Sequence, residues 1–307
     1  MAITDYSTKD HAGSLTFYKD AGEVSNGYTV GTQTIVPYSS CDVIELQNIV
    51  TPGVANVSAG PVSYTRGKKL VRMTCTAPAR STWCIQKQIN DWIGGSDSFL
   101  NTSPVKDTST WSFDRYEPVL GHQRYTAGKC EGITVSYNAA GGPINVTMSW
   151  LAIYPAEEGS PDTFSVPTRQ TGRDYDTGDV TSTSLDLLRS FQLTVARGQA
   201  PQSIANGTYY LTAISSHAIG GSLLIEQSPT ASQGNQVAVG ADTLAGTIVF
   251  QIGPSSTGIK FTCYVVRQNR RRTSPGNAPG TEFWEYDLDD SANTSTTGYP
   301  IVVAAGS

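Results

Sequence analysis

The sequence predicts a mainly β protein whose strands fall into two units, with at least one short flanking helix. Three observations support this prediction. Short runs of alternating apolar and polar residues recur along most of the 307 residues, separated by turns rich in Gly, Pro and Asn. A single stretch, residues 81–93, favours a helix. The alternation breaks off between residues 155 and 184, which divides the predicted strands into two groups.

The first unit, residues 1–154, begins with several short predicted strands. Apolar and polar side chains alternate in the runs 15–17, 28–32, 42–47 and 70–76. Pro78 ends the last run, because proline cannot donate a hydrogen bond to a neighbouring strand. These runs predict short strands connected by turns.

Residues 81–93 are the best helix candidate in the chain. Ile85, Ile89 and Trp92 recur at helical spacing and would share one face. The alternative is a strand in which Trp83, Ile85 and Ile89 share one side. From residue 96 to 129 the pattern is that of a loop, and a long ordered loop usually has a function. We expect an inter-subunit contact there.

The clearest hairpin in the sequence spans residues 132–152. Its predicted apolar face carries Ile133, Val135, Tyr137, Ile144, Val146, Met148 and Trp150. The opposite face carries Thr134, Ser136, Asn138, Asn145, Thr147 and Ser149. Two glycines and Pro143 between the arms favour a turn. The second face is polar but uncharged, so it is suited to contact with water, another subunit or a ligand.

Residues 155–184 form a predicted linker, rich in Asp, Glu, Gly, Pro, Ser and Thr. Asp174, Asp176 and Asp179 place three carboxylates around a turn, as a calcium site would. The bidentate Glu of an EF-hand loop is missing, so a solvated linker is the preferred reading and ion binding is left open. The second unit, residues 185–272, contains the alternating runs 191–196, 209–214, 221–226, 246–252 and 259–266.

The last segment, residues 273–307, follows the last predicted strand, and we expect it to be an extension that contacts other subunits. A basic cluster, Arg270, Arg271 and Arg272, precedes an acidic and aromatic run that starts at Glu282. Aromatic side chains are unfavourable to leave exposed. The candidate inter-subunit residues are Arg270, Arg271, Arg272, Glu282, Trp284 and Asp287.

Composition excludes several functional classes. Charged residues make up 15% of the chain and the net charge is −5, which argues against broad adhesion to nucleic acid. Five widely spaced cysteines without a CxxC pair predict buried reduced thiols.

We expect no enzyme activity, cofactor or metal, since the three histidines are isolated and no phosphate-binding glycine motif occurs. The N-terminus predicts neither a signal peptide nor a membrane span, so we expect folding in a cytoplasm.

Four stretches resemble the tail tube proteins of long-tailed bacteriophages. They are residues 129–137, 143–150, 187–199 and 218–226, and the likeness is a pattern of strands and turns rather than a catalytic signature. The resemblance implies that the two predicted units are β-sandwich or partly closed barrel units of the tail tube type. Such subunits assemble into rings whose strands continue from subunit to subunit. The rings stack into a tube through which DNA leaves the capsid.

The resemblance also implies partners and a location. With two tube units in one chain, three copies would form a ring, and with one unit six copies would. Other tail proteins would meet the ends of the tube, and DNA would pass without tight binding. The protein would be part of the virion tail, assembled in the host cytoplasm. The candidate residues lining the lumen are Thr134, Ser136, Asn145, Thr147, Ser149, Gln192 and Thr194.

Two other functional classes fit the sequence. The first is a carbohydrate- or receptor-binding β-sandwich module, for which Trp111, Tyr116 and Tyr125 would provide stacking surfaces. The second is a β-rich hydrolase, because paired carboxylates converge in space rather than in sequence.

Overall fold

The computed structural model of the chain describes residues 14–19, 33–50, 65–79, 111–117, 121–138, 141–152, 154–156, 174–182, 188–197, 199–203, 209–213, 219–227, 245–254, 258–273, 281–289 and 300–305. Within them lie seventeen strands. They are β1 (Ser14–Lys19), β2 (Gln33–Pro37), β3 (Ser40–Val50), β4 (Thr65–Pro78), β5 (Trp111–Glu117), β6 (Gly121–Asn138), β7 (Asn145–Ala152), β8 (Tyr154–Ala156), β9 (Val180–Ser182), β10 (Leu188–Arg197), β11 (Gln199–Ser203), β12 (Tyr209–Ala213), β13 (Ile219–Gln227), β14 (Ala245–Ile252), β15 (Ile259–Thr273), β16 (Thr281–Leu288) and β17 (Ile301–Ala305).

Fifteen of these strands form one antiparallel sheet with two sections, and the long strand β6 belongs to both. The N-terminal part of β6 lies between β5 and β8 in the smaller section, which continues through β1 to β2. The C-terminal part of β6 lies between β7 and β10 in the larger section of eleven strands. That section runs β3-β4-β7-β6-β10-β13-β16-β15-β14-β9, with β17 also paired to β15. Strands β11 and β12 form a separate pair.

The larger section folds over on itself to enclose the core. Strands β10 and β14 are four positions apart in the sheet, which would separate them by about 19 Å if the sheet were flat. Yet the rings of Phe191 and Phe250 lie 4.9 Å apart, and Phe250 stacks on Phe261 at 5.0 Å. Strands β10 and β14 must therefore face each other across two layers, while Phe250 and Phe261 are partners on adjacent strands of one layer. The rings belong to one buried apolar cluster.

The mainly β class is confirmed for the described residues, and so is the hairpin of residues 132–152. Strands β6 and β7 pair from Lys129–Leu151 to Ser136–Asn145. Ile133, Val135, Met148 and Trp150 are buried, as the alternation predicted. The candidate helix at 81–93 lies outside the described residues. The described part of the chain contains one short 3-10 helix, Thr177–Asp179.

The loop predicted for residues 96–129 is wrong in its second half. Residues 111–117 form β5, and β6 begins at Gly121. The stretch 121–128 is polar and contains two glycines, so its own pattern does not predict a strand. Its strand conformation comes instead from pairing with β5 on one edge and β8 on the other. The pairing with β5 is local, but the pairing of Tyr125 with Pro155 of β8 joins distant parts of the chain, and the sequence pattern does not reveal it.

Part of the predicted linker is packed into the protein. Tyr175 is buried, its backbone N–H donates to the Ala79 carbonyl at 2.7 Å, and its carbonyl accepts from the Ile144 N–H at 2.8 Å. Strand β9 then pairs with the edge of β14. The segment thus connects the end of β4 to the hairpin turn instead of crossing open solvent.

Two of the described strands follow residue 273, so the sequence-based position of the last strand is wrong. Strand β16 lies between β13 and β15, and β17 pairs with β15 beyond it. Strands β6 and β10 are also direct neighbours, so the sheet is continuous across the predicted linker. The larger section therefore contains strands of both predicted units and of the predicted C-terminal extension.

Candidate functional site: the polar sheet face and its cavity

The outward face of the larger section carries a row of hydroxyl side chains in register. We call it the hydroxyl row: Ser40, Thr76, Thr147, Thr134, Thr194 and Ser222, on β3, β4, β7, β6, β10 and β13. Two of its contacts are side-chain hydrogen bonds, Thr76 to Thr147 at 2.9 Å and Thr134 to Thr194 at 3.3 Å. Alternation places every second residue of each strand on this face, and the strand register aligns them across six strands.

All seven residues predicted to line a lumen lie on this one face. Thr134, Thr147 and Thr194 belong to the hydroxyl row. Ser136 is the direct partner of both Asn145 and Gln192 in the adjacent row. Ser149 lies on the other side of the hydroxyl row, opposite Gly132. The structure thus brings together residues that are up to sixty positions apart, while their place in a lumen stays a prediction.

A cavity of about 990 Å³ opens on this face at the end where the hairpin turns. We call it the turn cavity. Five neighbouring strands and the turn itself form its walls. Its lining includes outward-facing side chains of β6, β7, β10, β13 and β16, namely Ser136, Asn138, Asn145, Ser190, Gln192, Leu224, Glu226, Phe283 and Glu285. The site therefore exists only because these five strands are neighbours in the sheet.

The hairpin turn forms one rim of the turn cavity. Gly141 and Gly142 adopt φ of +102° and +111°, a region that favours glycine. The Gly141 N–H donates to the Asn138 carbonyl at 3.2 Å. No atom lies within 4 Å of where a Cβ would be added at either glycine. Backbone conformation, rather than space, is thus the reason for glycine at this rim.

Two carboxylates and two apolar side chains lie together at the far wall. Leu224 is the register partner of Glu285, and Glu226 is the partner of Phe283. Glu226 accepts a hydrogen bond from the Ser190 hydroxyl at 2.9 Å. Leu224 is 38% exposed and lies on this wall with Phe283. The turn cavity thus combines negative charge with an apolar patch.

An ion pair lies beyond the hydroxyl row, at the other end of the face. Arg72 donates through Nε to Glu131 Oε2 at 2.9 Å and through Nη2 to Oε1 at 3.2 Å. The Ser149 hydroxyl donates to the same Glu131 at 3.4 Å. The hydrogen bond and the charge of Glu131 raise the pKa of the Arg72 guanidinium above its usual value. The Glu131 carboxylate on this face is therefore paired with a cation.

The two groups of candidate inter-subunit residues pair with each other within the chain. Arg270, Arg271 and Arg272 of β15 are register partners of Trp284, Phe283 and Glu282 of β16. Trp284 is buried and stacks on Tyr286 with a centroid distance of 6.2 Å. This burial removes the argument that an exposed Trp284 requires a neighbouring subunit. Asp287 is exposed, and a role of these residues between subunits stays a prediction.

Two of the three linker aspartates, Asp176 and Asp179, stabilise a turn. The Asp176 carboxylate accepts from the Gly178 N–H at 2.9 Å, and Asp179 Oδ2 accepts from the Asp176 N–H at 2.8 Å. This reciprocal arrangement is a capping box on the 3-10 helix. Within the described residues, no group of three or more His, Cys, Asp or Glu side chains is placed to hold a metal ion.

Of the aromatic residues proposed as stacking surfaces, Tyr125 is buried and so is unsuited to that role. The side chains of Trp111 and Tyr116 lie outside the described residues. Among the outward-facing side chains that line the cavity, the aromatic one is Phe283, which the sequence had placed in a subunit contact segment. Its alternation with Trp284 and Glu285 was visible, but the strands beside β16 were not.

Comparison with known proteins adds no family. No protein-family model matches the chain, and no curated protein sequence matches it. In the part of the chain that the structure describes, no helix is long and apolar enough to cross a membrane.

Proposed function

We propose that the chain is a structural subunit that assembles with copies of itself into stacked rings, as the tail tube of a long-tailed bacteriophage. The observation that supports this best is the free edge of the larger section. Strand β3 is eleven residues long and pairs with β4 along one edge. No other described strand pairs with its second edge. A long unpaired edge is a template for a strand of another chain.

The exposed side of β3 adds an apolar contact to this edge. Ile44 is 55% exposed, more than any other large apolar side chain described. A subunit that joined its sheet to this strand would cover Ile44 while extending the hydrogen-bonded ladder. Strand pairing at the β3 edge and burial of Ile44 would thus both result from the same contact between two subunits.

The polar face suits a surface along which DNA would pass. The hydroxyl row offers uncharged hydrogen-bonding groups, and Glu226, Glu285 and Asp287 add carboxylates on the same face. Tight binding of DNA depends on Lys and Arg contacts to phosphate. A face of hydroxyls and carboxylates holds DNA weakly, as a conduit requires.

The ring would contain three copies if each chain supplies two tube units and six if it supplies one. Other tail proteins would bind at the ends of the tube, within the virion tail. The sheet is continuous from β4 through β16, so strands of both predicted units would belong to the same wall of the tube.

Electron microscopy of the purified protein tests this proposal. We expect rings or tubes from the wild-type chain and their loss in Ile44→Lys, because a lysine on an edge strand opposes pairing. Leu224→Lys is the matched control, since Leu224 is also exposed but lies on β13, which is paired on both edges. A wild-type protein that stays a dispersed monomer at high concentration would refute assembly. Equal assembly of the two lysine variants would refute the role of β3.

A further inference from the structure

We propose that the turn cavity binds a neutral oligosaccharide. This inference goes beyond the proposed assembly and does not depend on it. The turn cavity is preformed by five hydrogen-bonded strands, and its volume of about 990 Å³ is at the upper end of the range of small-molecule sites. That size suits a ligand of more than one sugar ring.

The polar lining matches the hydroxyl groups of a sugar. A sugar hydroxyl both donates and accepts hydrogen bonds. Asn145, Asn138 and Gln192 carry amides that can do both, and the carboxylates of Glu226 and Glu285 accept. Hydrogen bonds to an ionised carboxylate are stronger than those between neutral groups.

The apolar lining matches the other surface of a sugar ring. On the neighbouring strands β13 and β16, Leu224 lies opposite Glu285 and Phe283 lies opposite Glu226. The C–H groups of a sugar ring form an apolar face that packs on such side chains. An exposed leucine beside carboxylates is poorly placed for solvent alone and well placed for a ligand that is polar at its edge and apolar on its face.

Charge and backbone pairing exclude two competing ligand classes. The carboxylates of Glu226 and Glu285 would repel a phosphorylated or sulfated ligand. An extended peptide that binds by strand addition needs a free sheet edge. Each strand that lines the cavity is instead paired on both sides: β7 by β4 and β6, β6 by β7 and β10, β10 by β6 and β13, β13 by β10 and β16, and β16 by β13 and β15. The floor therefore offers side chains for recognition, not backbone.

The test is isothermal titration of the full-length protein with three neutral probes, chitohexaose, cellohexaose and maltohexaose, and one anionic probe, a heparin hexasaccharide. We expect at least one neutral probe to bind and the anionic probe not to bind. Asn145→Leu and Glu285→Ala should each weaken that binding by about tenfold, the effect of one lost hydrogen bond of about 1.4 kcal/mol. Ser149→Ala is the control, since Ser149 lies on the same face outside the turn cavity and should bind like the wild type.

Hydrogen exchange provides a second readout that needs no variant. A bound neutral probe should slow exchange at the turn around Gly141 and Gly142 and in β10, and leave β14 unchanged. The proposal is overturned if none of the three neutral probes binds at millimolar concentration, if the heparin probe binds as well as they do, or if protection appears away from the turn cavity. Binding that persists in both lining variants, with their unfolding curves intact, would also overturn it.

Assembly and saccharide binding are separable in two variants. Ile44→Lys changes the edge strand and should keep probe binding, whereas Leu224→Lys changes the cavity wall and should lose it. Failure of the saccharide proposal would therefore leave the electron microscopy result unaffected.

Discussion

Arg72 of β4 and Glu131 of β6 are joined by two hydrogen bonds that pass over the intervening strand β7. A β-bulge makes this contact possible. Cys130 pairs with Trp150 and Gly132 with Ser149, so Glu131 is the extra residue between them. An extra residue re-aims a side chain. The bulge thus brings an acid onto the polar face at the position where an arginine can reach it.

The first prediction concerns the energy of this pair. Glu131→Gln should lower the free energy of unfolding by no more than about 1 kcal/mol, because the Arg72 side chain is 47% exposed and solvent screens the attraction. The loss should shrink at high salt. Urea unfolding at low and high ionic strength measures both effects.

A double-mutant cycle with Arg72→Gln supplies the control for this prediction. If the two side chains act as a pair, the double variant should be more stable than the sum of the single losses implies. Strict additivity, or a loss that does not change with salt, would show that the ion pair contributes nothing to stability.

The second prediction compares two adjacent glycines of β13. A Cβ on Gly221 would collide with the Thr194 carbonyl and lie 2.9 Å from Leu288 Cδ1, whereas one on Gly220 would meet nothing within 4 Å. Gly221→Ala should therefore lower the free energy of unfolding by about 1–3 kcal/mol, the usual cost of overpacking. Gly220→Ala should change it by less than about 0.5 kcal/mol. Thermal unfolding of the two variants checks this, and equal melting temperatures would contradict it.

The alternation of apolar and polar residues was enough to predict some strands of the fold and not others. The alternation in residues 132–152 was enough to predict a hairpin and its buried face, because each arm pairs with the other locally. In β16, Trp284 and Tyr286 are buried while Glu285 and Asp287 are exposed, so the same alternation was present. Its density of acids suggested a surface segment instead. Burial there requires β13 as well as β15. Strand β15 directly precedes β16 in the chain, whereas β13 pairs with β16 over a long sequence distance, from Gln227–Glu282 to Ser222–Asp287.

The sequence predicted part of the polar face on which the turn cavity opens, but not the cavity. The hydroxyls and amides of the hairpin and of Gln192 were identified from alternation alone. The wall formed by Leu224, Glu226 and Phe283 was not, because it depends on the order of strands in the sheet. Strand order is set by non-local pairing, which one sequence does not reveal.

The third prediction concerns the C-terminal strands. Ile301 is buried in the core beside β15, and its neighbour Val302 is 36% exposed. Ile301→Ala should lower the free energy of unfolding by about 2–4 kcal/mol, while Val302→Ala should cost less than about 1 kcal/mol.

Deletion of residues 281–307 should abolish cooperative unfolding, because it removes β16 from between β13 and β15. A truncated chain with an unchanged unfolding curve would show that these strands are dispensable.

The last prediction concerns pH and rests on the thiol of Cys263. This side chain is buried in β15, and burial raises the pKa of the thiol. The folded state therefore keeps the thiol neutral, while the unfolded chain ionises it above a pKa of about 8.5. The contribution of the neutral Cys263 thiol to the free energy of unfolding is therefore fully present below about pH 8.5. It falls as the pH rises further, by up to about 1.4 kcal/mol per pH unit.

Cys263→Val removes the titration and keeps an apolar side chain of similar size. The free energy of unfolding of the wild type, relative to this variant, should drop by about 2 kcal/mol between pH 8 and pH 10. Comparing the two proteins removes the contribution of other groups, including Cys75, whose thiol pKa is raised by its hydrogen bond with Cys41 and by burial.

In the folded wild type, iodoacetamide should leave Cys263 unmodified at pH 9, while the urea-unfolded chain should react there. Modification of Cys263 in the native protein, or parallel pH profiles for wild type and variant, would show that the thiol is not shielded as its position in the core requires.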